Sequence, residues 1–99
     1  MTNQEIEKTH QNAIRCIDNA EVNDAFGHIK HLTDLLGRGD MNDELERLRM
    51  SYTFMLKYLA QGVIDPQRDE ILTSIRQSLY TLNDQCYIGL MEPSSPEVF

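Results

Sequence analysis

Apolar positions recur every three or four residues in four stretches of this chain, the spacing of helices that each bury one face. In the first stretch Ile6, His10, Ala13, Ile17 and Ala20 share a face, and Thr2 with Glu5 has the spacing of a capping box. In the second, Val22, Phe26, Ile29, Leu32, Thr33 and Leu36 do the same until Gly37 stops the run, with Asp18 and Glu21 as a capping pair at the break. The turn "GRGDMN" follows, in which Asn42 or Asp40 can cap a third helix running from about Asp43 to Gln61, with Gly62 as its stop. Asp65 caps the fourth, Pro66 takes its first position, and Leu72, Ile75, Leu79, Leu82 and Cys86 form a seam at alternating spacings. No useful stretch alternates with the period of two that a strand requires. The pattern predicts an all-α domain over residues 1–91: four antiparallel helices, as an up-down bundle or as two stacked αα-hairpins.

The third helix breaks the one-face rule. At about 100° per residue, Leu45, Leu48, Tyr52, Met55, Leu56 and Leu59 lie on one side, which should pack against neighbours. Met50, Phe54 and Tyr58, spaced by four, fall nearly opposite. A helix apolar on two sides is either sandwiched or presents one side to something else. The ordinary expectation is that the second stripe is packed internally, against the fourth helix or against chain beyond Phe99. Its alternative is a surface for a partner or for a second copy, to which tyrosine is suited because its ring buries while its hydroxyl finds water.

The tail sharpens that choice. In "EPSSPEVF", Ser95, Pro96 and Glu97 are a cap, a first-position proline and a first-turn acid, and Val98 and Phe99 would be the first apolar residues of a new helix. Residues 92–99 therefore read as the start of a fifth helix in a longer protein. A stop codon directly after Phe99 would contradict this.

Charge removes one class of partner. Sixteen acidic residues against nine basic leave a net charge of -7, and the basic residues are dispersed, so nucleic acid is not expected to bind. The first ten residues lack a basic start and an apolar run, and no segment approaches the ~20 apolar residues of a membrane span, so a cytoplasmic protein without membrane contact is the expectation. Cys16 and Cys86 are too few and too far apart for a metal knuckle, and beside apolar stripes they read as reduced core thiols.

Candidate chemistry is thin. His28 and His31, with Asp24 one turn before, have metal-ligand spacing on one helix but no second ligand pair. Glu7 and His10 match the Glu-x-x-His element of di-iron bundles, which need a second such element. Arg38-Gly39-Asp40 spells an integrin tripeptide, more simply a turn between helices. Ser51, Ser74 and Ser78 have no base spaced to activate them, and there is no phosphate loop or nucleophile elbow. No catalytic residue, metal or cofactor is expected. A metal-dependent enzyme is the remote reading.

The segment Ser51, Tyr52, Phe54, Met55, Leu56, Tyr58, then Gln61-Gly62 and Asp65-Pro66, resembles a pattern of bacterial tetratricopeptide-repeat-like (TPR-like) proteins. The preceding "NDAFGHIKHLTDLLGRGD" is similar to the second helix of such a unit and its exit turn. The helices are longer than a repeat of ~34 residues allows, and no internal period emerges. The resemblance implies a helical scaffold that holds partners, and it carries over no catalytic or binding residue. The expected function is a non-catalytic protein-interaction module, with Met50, Phe54 and Tyr58 as its candidate surface. The alternative is a homodimerising structural domain that uses the same stripe.

Overall fold

A computed structural model describes residues 2–62 and 68–91. They form four helices: α1 (Asn3–Asp18), α2 (Val22–Leu36), α3 (Gly39–Ala60) and α4 (Arg68–Met91). The Asp65–Pro66 start predicted for α4 and the helix-like tail after Met91 lie outside the described residues. Among those residues there is no strand, and no helix is long and apolar enough to cross a membrane.

The caps explain where the helices begin and end. Thr2 closes the predicted capping box: its hydroxyl accepts from the Glu5 N–H at 3.2 Å, while the Glu5 carboxylate accepts from the Thr2 N–H. The Thr2 N–H and hydroxyl, both donating to the Glu5 carboxylate, hold that carboxyl below its ordinary value. The α1–α2 break is made differently from the predicted Asp18–Glu21 pair. Glu21 makes no side-chain cap. Instead the Glu21 N–H donates to Cys16 O at 2.7 Å and the Ala20 N–H to Ile17 O at 3.1 Å, the two bonds of a Schellman turn. Ala20 stands at its left-handed position with φ 60°, where glycine is usual, and leaves the apolar face it was assigned to.

Helix α3 starts four residues earlier than predicted. Gly39 and Asp40 belong to its first turn, Arg38 is its cap residue without a side-chain bond, and Met41 is buried. Asn42 therefore does not cap. It sits inside α3 with its Oδ1 2.5 Å from Thr33 Oγ1 and its Nδ2 donating to Asp34 at 3.3 Å, stitching α3 to the end of α2. Arg38 and Asp40 chelate each other at 3.0 and 2.6 Å, so the tripeptide is closed on itself at a helix start.

Side-chain registers show neighbouring helices to be antiparallel. His10 meets Asp84 while Asp18 meets Tyr80, so α1 and α4 run oppositely. Thr33 meets Asn42 while Phe26 meets Tyr52, which sets α2 against α3. Cys86 meets Met41 at one end of α3–α4, and Ile71 shares a hollow with Met55 and Leu59 at the other. Each helix thus touches its two neighbours in an up-down ring. In addition α2 touches α4 across the ring, whereas α1 and α3 do not meet. The bundle is a rhombus with α2 and α4 on its short diagonal. Gly89 leaves room for the Leu36 side chain at one end, since a Cβ there would lie 3.2 Å from Leu36 Cδ1.

The core follows from that diagonal. Ile17, Ile29, Leu32 and Leu79 are fully buried, joined by Ala13, Val22, Ala25, Phe26, Ile75, Leu82 and both cysteines. Helix lengths do not match, however. α3 has 22 residues and α4 24, against 16 and 15 for α1 and α2. At 1.5 Å per residue the longer pair exceeds the shorter by about 10 Å. The end of α3 and the start of α4 therefore run on past α1 and α2. Leu56 lies on the face predicted to pack, yet is 40% exposed, where the shorter α1 and α2 give out.

Leu79→Ala is expected to lower stability by about 2–5 kcal/mol and Leu56→Ala by less than about 1 kcal/mol in chemical denaturation. Ala20→Gly should raise stability, by about 0.5–1 kcal/mol, because the left-handed position strains an alanine.

Candidate functional site

Met50, Phe54 and Tyr58 lie on the side of α3 opposite Leu45 and Leu48, with Phe54 and Tyr58 bordering the α3–α4 seam. They are 56%, 53% and 52% exposed. Among the described residues α4 does not bury this stripe, and the other cover expected for it, chain beyond Phe99, lies outside them. α3 is a long-diagonal corner of the rhombus, so its fully packed residues are confined to the side bearing Met41, Leu45 and Leu48. Four of the six exposed large apolar side chains among the described residues fall between Met50 and Tyr58. Isolated surface apolar residues are ordinary, but a contiguous group is not.

Phe54 forms a ridge between two hollows of about 390 Å³ each. One is lined by Arg49, Met50, Thr53, Phe54 and Lys57. The other lies over the α3–α4 seam, with Phe54, Met55, Tyr58, Leu59, Arg68 and Ile71. Met55, Leu59 and Ile71 are half-buried, forming an apolar floor, and the cations stand at the margins. Arg47 and Arg49 pair with Glu44 and Glu46 one turn back, which holds the Glu46 carboxyl below its ordinary value. Such exposed pairs contribute little to stability.

The remaining candidates do not converge. His28 is half-buried and His31 exposed, and among the described residues no three His, Cys, Asp or Glu side chains are grouped to hold a metal. Glu7 is exposed while His10 is buried against α4, so the Glu-x-x-His pair faces no common centre. Ser51 and Ser74 are exposed.

Sequence reasoning missed the partners of His10. Its Nε2 lies 3.0 Å from Asp84 Oδ1, and its ring stacks on Tyr87 with centroids 4.1 Å apart. The fully buried Asn83 donates to His10 O at 3.2 Å. His10 Nδ1 and Asn83 Oδ1 are buried without partners. Asn83 and Asp84 directly follow Leu82 of the α4 seam, so the signal was a pair of polar residues at the margin of an apolar stripe. The arrangement fixes the α1–α4 register.

Both cysteines are buried and unpaired. Burial pushes the Cys16 thiol up, and pushes Cys86 from its usual 9.0 to about 11. A thiol that keeps its proton is a poor nucleophile, which leaves these two as packing groups.

Scans against family models, curated proteins and solved structures find no match to this chain.

The double change Phe54→Ser with Tyr58→Ser should cost less than about 1 kcal/mol of stability, since both side chains already meet solvent. Cys86 in the folded chain keeps its proton through the range where the unfolded chain releases it. Its stabilisation is complete below pH 9 and is lost as pH rises towards 11. Unfolding midpoints across that range should fall, with a flatter decline in Cys86→Ala.

Proposed function

We propose that this chain is a non-catalytic α-helical interaction module that holds a partner protein on the outer face of α3. The observation that carries this reading is the exposure of Met50, Phe54 and Tyr58 on one side of α3, with Phe54 and Tyr58 beside a half-buried apolar floor. Interfaces place aromatic and methionine side chains at their centre and charged groups at the rim. Here Phe54 is central and Arg49, Lys57 and Arg68 are peripheral. The four-helix scaffold supplies rigidity, and the side chains at the surface supply contact without any reacting group. The resemblance of this segment to TPR-like proteins points the same way, towards a cytoplasmic scaffold unit that needs no cofactor.

A second reading has one observation in its favour. The stripe is symmetric about Phe54, so a two-fold axis there would set Met50 of one copy against Tyr58 of the other, as an isologous dimer requires.

A photo-crosslinking amino acid at position 54 is expected to give a discrete adduct with a different protein in the cells that make this chain, and the same group at the exposed Glu7 should give none. A single adduct at twice the chain mass would transfer the assignment to the dimer, and equal labelling from both positions would remove the docking surface.

A further inference from the structure

We propose that the occupant of the α3 face is an acidic amphipathic segment of the partner protein. This rests on reading that face as a docking surface and adds the chemistry of what docks. Between Arg47 and Gly62 the chain has three cations, Arg47, Arg49 and Lys57, and no carboxylate. The whole molecule carries -7, so this stretch, with three cations, stands out as positive on an acidic protein. The cations are not scattered relative to the apolar groups. Arg49 and Lys57 line the hollow on one side of Phe54, and Arg68 lines the hollow on the other, beside Tyr58 and Ile71. The ion pairs of Arg47 and Arg49 are exposed ones that exchange partners at little cost. Among the described residues Lys57 has no acidic partner.

Spacing completes the argument. Arg49 and Lys57 are eight residues apart, about 12 Å along the axis, or a little over two turns. A helix laid along α3 with an apolar stripe on Phe54 and carboxylates two turns apart on its flank would meet both cations. That is helix-in-groove recognition with a charged rim. A second copy fits less well. Packed about a two-fold axis at Phe54, each α3 would bring its own Arg49 and Lys57 to the same seam, where Glu46 is already paired with Arg49 and no carboxylate between residues 47 and 62 answers Lys57. Like charges along one seam disfavour the pairing.

The test uses the full chain and two labelled helical peptides of about 15 residues with the same leucine stripe, one with glutamate and one with lysine at all flanking positions. Fluorescence anisotropy should show the glutamate peptide binding at least about tenfold tighter at low salt, with the ratio collapsing as salt rises to about 0.5 M. Arg49→Glu with Lys57→Glu should reverse the preference while circular dichroism stays unchanged. Equal binding of both peptides, abolished by Phe54→Ser with Tyr58→Ser, overturns the acidic partner but leaves the docking surface intact. Binding of neither peptide at millimolar concentration, or binding indifferent to that double change, overturns both. A dimer in light scattering that the glutamate peptide cannot disperse overturns the proposal in favour of a second copy.

Discussion

The contact between α2 and α4 across the bundle is the constraint from which the rest follows. A ring of four helices could be square, with each member touching two others. Here the short diagonal is closed, so α2 and α4 each pack against three helices and bury Ile29, Leu32, Leu79 and Cys86 completely. Apolar burial at roughly 25 cal/mol per Å² favours this shape, because a rhombus removes the central void that a square would leave. Gly89 leaves room for the Leu36 side chain at one end.

Closing one diagonal opens the other. α1 and α3 do not meet, and each becomes a corner with solvent behind it. For α1 this costs nothing, since its outward positions are polar. For α3 it leaves Met50, Phe54 and Tyr58 facing water. The extra length of α3 and α4 adds half-buried Leu59 beside them, and leaves Leu56 exposed on the other side of the helix. Thus the same packing that stabilises the core creates an apolar surface, and the surface stands on a helix whose inner side is fixed by Met41, Leu45 and Leu48.

Polar contacts specify register more than they stabilise. Asn83 bonded to the His10 carbonyl, with the imidazole between Asp84 and Tyr87, gives α1 and α4 one preferred alignment. Thr33 and Asn42 do the same for α2 and α3. A sliding of one turn would leave the fully buried Asn83 amide without its partner, which costs more than the bond contributes. An apolar seam alone is more permissive, because many residues of similar size fit one another.

Much of the fold was legible along the chain because helix periodicity is local. The stripes Ile6–Ile17, Val22–Leu36 and Leu72–Cys86, the Thr2–Glu5 box and the Gly37 stop depend on residues within a turn or two of each other. The Schellman turn at Ala20 was not legible, since an alanine carries no sign of a left-handed backbone, nor was the early start of α3 at Gly39, which burial of Met41 decides. The candidate surface was half legible. Periodicity alone determined that Met50, Phe54 and Tyr58 share a side of α3 opposite Leu45 and Leu48. Whether that side was covered depended on which diagonal of the bundle closed and on how far α1 and α2 reach, and these are properties of four helices packed together. The first is a consequence of 100° per residue. The second is a competition among long-range contacts, which no single helix encodes.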